Sequence, residues 1–512
     1  MTSNLQTSAR ADEENTPGGT VTEPVEETRL SAGEVRERAV GGAVVDVLRG
    51  IGVRFFGLLG TLVLARLLTP HDFGIVAFGA TFVTFANFLA DGGVGAGLIR
   101  RLEPPTHAEL TALLGFQLVI STALAVGIGV FLIPLGEIGQ VAALMTLALP
   151  LMSFRTPGVI LFERRLNYKP LLLVDVVESI FYYGWAVALV VHGWGVWGLA
   201  SANIVRALAG SILLLAVLPS ARLVPSLSWS KIRPILGFGF QYQAVGVANL
   251  VRDQGTNAVI ALLAGVTALG VWSVAFRILQ IPLLFLASLW RISFPGMARL
   301  VEEGDDVGKT LERVIAVVAV ASGLILAPLV AATPAWLPAL LGGQWTDAVA
   351  VIPPASLHLM VFGPITVALI GYLWAMGEGS AVLRSTLVGI PMMAVVMIPL
   401  LTIIGVPAVG FGWLASGLGE TTVLILAARK HAEFRITPGL LPPAISAVVS
   451  ASLGWIVSTQ VDASLLGGLV GALLAVTTYV LALWIWHRSY LLDSVRLSIR
   501  GVRQVLTSPA LK

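Results

Sequence analysis

The sequence predicts an all-α integral membrane protein of about fourteen transmembrane helices. They are arranged as two parallel six-helix lobes plus two C-terminal helices. Three observations predict this class: a composition too apolar for a soluble domain, a regular succession of apolar runs, and a stretch beginning at Leu64 whose outline returns near Ile260.

Hydrophobic residues account for 56% of the 512 and charged residues for 12%. A soluble domain carries roughly 25% charged residues, so a polytopic bundle fits best. Closed barrels would show short alternating segments, and none stands out. The net charge of +3 is too small to point to nucleic acid. With no cysteine, disulfides, thiolate nucleophiles and Cys-ligated metals are excluded. Residues 1–40 lack an apolar core and are rich in Glu, Thr, Ser and Gly, which predicts a disordered cytoplasmic tail and no cleavable signal.

Apolar runs follow at roughly 43–66, 73–98, 108–132, 140–161, 171–191, 196–218, 235–262, 267–294, 310–332, 348–375, 386–404, 408–428, 440–458 and 464–486. Each is near the ~20 residues that a bilayer requires. With the N-terminus inside, Arg100 and Arg101, Arg164, Arg165 and Lys169, Lys231 and Arg233, Lys309 and Arg313, and Arg429 and Lys430 all fall on the inner side. The outer connections keep no Lys or Arg. That alternation places both termini in the cytoplasm of a multi-pass protein of the cytoplasmic (inner) membrane.

The stretch from Leu64 runs LARLLTPHDFGIVAF, turns tightly at Thr69–Pro70–His71–Asp72, and continues to the Arg100–Arg101 pair with Asp91 its single acid beyond the turn. A shift of 196 residues places Ala65 on Ala261, Leu67 on Leu263 and Gly74 on Gly270. Six spans separate the copies, so both enter the membrane in the same sense and the lobes are parallel repeats. The first lobe is 41–218 and the second 235–430, joined on the cytoplasmic surface by the proline-rich linker 219–234. Residues 431–487 add two further helices. In the tail 488–512, Leu492, Val495, Ile499, Val502 and Leu506 recur at helical spacing among arginines, which predicts an amphipathic helix on anionic lipid.

Most short motifs have a bland explanation. Gly304–Gly308–Lys309–Thr310 has three residues between its glycines where a phosphate loop has four, and no strand precedes it. The six histidines are scattered without metal-ligand spacing. Gly93 with Gly97, and Gly467 with Gly471, suit close helix contacts. Pro282, Pro391 and the pair Pro353–Pro354 lie inside spans and are expected to bend them.

Charges at membrane depth are more informative, because each costs at least ~2.5 kcal/mol at mid-span and so turns toward a polar interior. Arg49 has Asp46 three residues away as a local partner, whereas Arg54 has none on its own helix. Arg252 is the counterpart of Arg54 in the second lobe and adjoins Asp253. Arg206, Arg277 and Arg291 complete the basic set. Guanidinium binds phosphate in two-pronged fashion and stays charged in the membrane, so arginines spread over both lobes favour an anionic cargo. For each arginine alone, snorkelling or structural pairing is an equal alternative. Among the acids, Asp91 is lone near the end of the second span, and Asp175 and Glu178 form an i, i+3 pair that needs a proton or a cation. With Asp253 these are the candidates for ion coupling.

The segments LARLLTPHDFGIVAF…LADGGVGAGLIRR and FERRLNYKPLLLVDVVES (162–179) resemble the polysaccharide-transporter branch of the multidrug/oligosaccharidyl-lipid/polysaccharide exporter superfamily. Lipopolysaccharide and teichuronic-acid exporters and Wzx-type flippases are similar in pattern. The likeness is strong over about 43–180 and looser through the second lobe. It implies two six-helix lobes forming a V, a central cationic cavity and alternating access for a polyprenyl-diphosphate-linked glycan. No family motif fixes site residues.

The expectation is a transporter without enzymatic turnover, metal or cofactor, with a lipid-linked oligosaccharide as substrate. Its further partners are membrane lipids and the glycan polymerase machinery. A lipid-linked peptidoglycan-precursor flippase is a near rival; small-cation drug efflux would call for cavity acids instead. A membrane glycan polymerase or ligase would need a sizeable outer loop, and the longest here, about 333–347, is short and lacks basic residues.

Overall fold

The computed structural model describes residues 50, 52–53, 55–101, 103–217, 224–234, 244–303, 306–461 and 464–488, with all side chains among them except those of 96, 100, 244, 245 and 290–303. Arg49 and Arg54 lie outside the described residues, as do the N-terminal tail, residues 219–223 of the linker and the tail beyond Arg488. Arg291 lies on a described helix, but its side chain is outside the description.

The regular structure of the described residues is helical. Ten helices are long and apolar enough to cross a membrane, or twelve if each of two bent pairs counts as one span. Of the expected fourteen spans, ten to twelve are thus seen among the described residues. Two runs fall short for different reasons. The first is described as a short apolar helix, α1 (Phe55–Leu67). The seventh, α10 (Ala244–Leu263), carries Asn249, Arg252, Asp253, Gln254 and Asn257, which lower its hydropathy.

In the N-terminal half, α2 (Pro70–Asp91) starts at a capping box in which Thr69 and Asp72 each accept from the other's backbone N–H, with Pro70 in the first turn. What reads as a tight turn is thus a helix start. The run does not continue unbroken to Leu98: Gly92 and Gly93 both take the left-handed conformation (φ 55° and 73°), and α3 (Val94–Arg100) begins anew. Arg164 secures this broken end, donating to the carbonyls of Leu98 (2.7 Å), Ile99 (3.2 Å), Arg101 (2.7 Å) and Glu103 (3.2 Å).

Next, α4 (His107–Leu132) starts at a second capping box, Thr106 with Glu109. The fourth run breaks into α5 (Glu137–Thr146), α6 (Ala148–Ser153) and α7 (Thr156–Arg164), bent by 47° at a break that contains Arg155. Two long helices, α8 (Lys169–Val191) and α9 (Gly195–Val217), then pack side by side. The described part of the linker lies on α4, where the Ser226 N–H donates to the Thr111 carbonyl at 3.0 Å and Ile232 is buried.

In the C-terminal half, α11 (Val266–Glu303) and α12 (Val307–Leu341) are followed by α13 (Ile352–Val361), α14 (Gly363–Ala375), α15 (Gly379–Ile404) and α16 (Ala408–Ala428). Pro353 and Pro354 do not bend a helix; they stand in the first turn of α13, where a missing N–H leaves no bond unmade. The final pair, α17 (Thr437–Gln460) and α18 (Leu465–Trp486), packs on α12 through small residues. A methyl group on Gly454 would press the Gly471 carbonyl (2.5 Å), and the Tyr479 hydroxyl donates to the Val320 carbonyl at 2.9 Å. One buried core runs from Leu64 through both halves to Tyr479.

The halves meet where α2 crosses α11. A Cβ on Gly74 would overlap the Val266 carbonyl, and one on Gly270 would overlap the Pro70 carbonyl. These pairs exchange under the 196-residue shift, and between them His71 Nδ1 lies 3.2 Å from Thr267 Oγ1, its own repeat counterpart. Beside this crossing each half caps a helix of the other. Arg66 donates to the Leu340 carbonyl (2.6 Å) and to that of Ala339 at the end of α12. In return Gln344 donates to the carbonyls of Ala65 (2.9 Å) and Leu68 (3.1 Å), and the buried Trp345 indole donates to Ala65 (2.9 Å). The terminal carbonyls of both helices are satisfied across the seam.

Candidate functional site: a polar cavity between the halves

Below that crossing lies a cavity of about 350 Å³, walled by α1, α2, α8 and α9 on one side and by α11 on the other. Its polar lining includes Tyr182, Tyr183, Asn203 and Arg206 from the N-terminal half, with Arg277 and Gln280 from the other. Tyr183 reaches this position because Gly57 and Gly60 leave a flat track on α1; a methyl group on Gly60 would fall inside its ring.

Of the six sequence-selected arginines, Arg206 and Arg277 line this cavity and Arg252 is not among its lining residues. Arg277 hydrogen-bonds the Thr61 hydroxyl and faces Tyr182. The Thr61 hydroxyl in turn donates a hydrogen bond to the Gly57 carbonyl at 2.7 Å. Among the described residues no carboxylate lies within ion-pair distance of Arg277, so its charge is answered by hydroxyl dipoles alone.

Arg206 is held on one edge. Its Nε lies 3.3 Å from Glu178 Oε2, while half of the side chain stays exposed. Glu178 is buried and also meets Arg155 Nη1 at 2.6 Å; Arg155 Nη2 in turn lies 3.4 Å from Asp175. Room for this carboxylate exists because residue 210 is glycine, since any Cβ there would overlap Glu178 Oε1. The acidic pair at 175 and 178 thus has two arginines as counter-charges. The sequence predicts that this pair needs a proton or a cation, and two cationic side chains stand beside it: Arg155, on the bend of the fourth run, and Arg206.

Arg252 belongs to a second cluster, in the C-terminal half. It meets Asp253 at 3.1 Å and Glu420 at 3.3 Å, and Ser416 donates to the same Glu420 oxygen at 2.7 Å. Nearby Asn257 accepts from the Trp272 indole (3.2 Å) and reaches across the seam to Thr81 (3.4 Å). Asp91 sits at the α2 break, where it accepts from the Gly93 N–H at 3.2 Å. Arg155 and Glu420 were not selected from the sequence as site candidates, although both are charges at membrane depth and the same criterion would have found them. Among the described residues no cluster of His, Asp or Glu is arranged to hold a metal ion.

A bundle of membrane-spanning helices around a cavity lined by arginines is an architecture that membrane transporters use. Residues 63–350 match the family of polysaccharide biosynthesis proteins, more than half of the chain, and the protein belongs to that family. It is 27% identical over 360 residues to the succinoglycan biosynthesis transport protein ExoT of Rhizobium meliloti (strain 1021), covering 67% of this chain and 70% of that one. It is 22% identical over 332 residues to the lipopolysaccharide biosynthesis protein WzxC of Escherichia coli (strain K12), covering 62% and 66%. Among solved structures, the lipid II flippase MurJ in an inward closed conformation superposes with a TM-score of 0.67 at 11% identity, over 87% of this chain and 99% of that one. An inward-facing multidrug resistance MATE family transporter of the MOP superfamily gives 0.53 at 15% identity, over 78% and 95%. The shared property at such identities is the fold.

Proposed function

We propose that this protein is a flippase that carries a polyprenyl-diphosphate-linked oligosaccharide across the cytoplasmic membrane by alternating access. The observation that carries the reading is that Arg206 and Arg277 face one cavity from opposite halves, and that Arg277 lacks a carboxylate partner among the described residues. A diphosphate bridging the two would draw the halves together in a way neutral cargo could not. Tyr182, Tyr183, Asn203 and Gln280 supply the ring faces and hydrogen bonds that sugars use. The volume, near the low end for small-molecule sites, suits the head group and its first sugar, with the lipid tail left in the bilayer.

In this reading the halves are two parallel lobes, both termini are cytoplasmic, and the Pro70 end faces outward. The α2–α11 crossing and the reciprocal caps then form a closed outer gate. Arg49, Arg54 and the Arg291 side chain, which lie outside the description, stay candidates for cargo contact from the sequence alone, and Arg252 steadies the second lobe through Asp253 and Glu420. Asp91, Asp175, Glu178 and Asp253 are the acids through which an ion gradient would act. The family match favours a polysaccharide precursor over the peptidoglycan precursor suggested by the MurJ-like fold. The cavity arginines disfavour cationic drugs.

The test is Arg206→Ala and Arg277→Ala, singly and together, in cells dependent on this transporter. The double variant should insert normally yet leave lipid-linked glycan on the inner leaflet. Normal delivery to the outer face by an inserted double variant refutes the assignment.

A further inference from the structure

A transporter must release what it binds, and the charge arrangement around Arg206 bears on release. Arg206 projects into the cavity with half of its side chain exposed, yet its Nε edge is occupied by the buried Glu178 carboxylate at 3.3 Å. Glu178 cannot move away easily. Arg155 fixes its other oxygen at 2.6 Å, and Gly210 leaves a recess that its carboxylate fills. Arg155 already has Asp175 at 3.4 Å, so Glu178 is not needed solely to keep Arg155 paired. Arg277, across the cavity, has hydroxyl partners instead.

We infer that Glu178 is a fixed internal competitor for Arg206, a specificity-determining residue that holds down the cavity's affinity for phosphate so that the head group can leave. This rests on the reading of the cavity as a diphosphate site. A phosphate on the open edge of Arg206 would lie within several ångströms of the Glu178 charge, in a poorly solvated wall. Like charges so placed repel enough to change affinity by tenfold or more. The geometry divides the labour: Arg277 attracts, and the Arg206–Glu178 pair attracts less strongly and orients. A site with two unopposed arginines would bind the diphosphate more tightly and turn over more slowly.

The experiment measures binding of inorganic pyrophosphate to the purified full chain in detergent by calorimetry, beside export in cells. Glu178→Gln keeps the shape and removes the charge. It should tighten pyrophosphate binding about tenfold and slow export. The gain should vanish in Glu178→Gln/Arg206→Ala, which ties the effect to that guanidinium. Gly210→Ala, which displaces the carboxylate without altering any charge, should shift affinity in the same direction. Tighter binding is an effect that structural damage does not produce. If either variant retains the wild-type melting temperature and binds pyrophosphate no more tightly than wild type, the competitor role is overturned. That failure is distinct from failure of the site itself, which would appear as unchanged pyrophosphate binding in Arg206→Ala and Arg277→Ala.

Discussion

Arg277 on α11 donates a guanidinium N–H to the hydroxyl oxygen of Thr61 on α1, across the seam between the halves of the chain. A residue proposed to hold cargo therefore also ties the halves together. A phosphate arriving at Arg277 would compete with Thr61 for the same donors, exchanging this direct tie for one that runs through the cargo to Arg206. Hydrogen bonds to a charged group contribute about 1.5–3 kcal/mol, enough to bias two conformations that are close in energy.

Replacing Thr61 by valine keeps the volume and removes the acceptor. Populations should shift toward the state open at the Pro70 end by about 1–2 kcal/mol, roughly tenfold. The chain has no native cysteine, so spin labels on two introduced cysteines at that end report the separation without background. An unaltered distance distribution in Thr61→Val would remove Thr61 from the seam's energetics.

The pair His71→Cys/Thr267→Cys tests the crossing itself. Those side chains approach to 3.2 Å in the present state, and a disulfide there should stop export until reductant is added. Adding Gly270→Ala should cut the yield of that disulfide several-fold, because a methyl group at 270 has no space against the Pro70 carbonyl. Continued export by the oxidised, fully cross-linked protein would mean that the Pro70 end need not open.

Arg164 illustrates a charge whose work is structural. Its guanidinium gathers four carbonyls at the end of α3, so Arg164→Ala leaves them short of donors and should cost about 2–3 kcal/mol. The melting temperature should fall while pyrophosphate affinity per folded molecule stays at the wild-type value. A lowered affinity with unchanged melting would instead place Arg164 in the cargo's path.

The apolar runs, the repeat and the family were legible in the sequence because each is a property of consecutive residues and the bilayer imposes one length on all of them. The 196-residue shift did not predict a contact, yet its copies meet: His71 approaches Thr267, Gly74 approaches Val266 and Gly270 approaches Pro70. Helix breaks were harder to read. Gly92–Gly93 and Phe154–Arg155 interrupt runs whose hydropathy is continuous, because a break depends on where a backbone carbonyl finds another donor.

What the sequence by itself determined was an all-helical membrane transporter, since long apolar runs with few charges are stable only as helices in lipid. Which arginines face open space was decided only in three dimensions. Along the chain only the adjoining Asp253 sets Arg252 apart from Arg206 and Arg277, yet Arg252 is closed off by Asp253 and Glu420, Arg206 is half-engaged by Glu178, and Arg277 meets hydroxyls. The physical reason is that a charge's partners come from helices distant in sequence: Glu420 lies 168 residues from Arg252, and Thr61 lies 216 from Arg277.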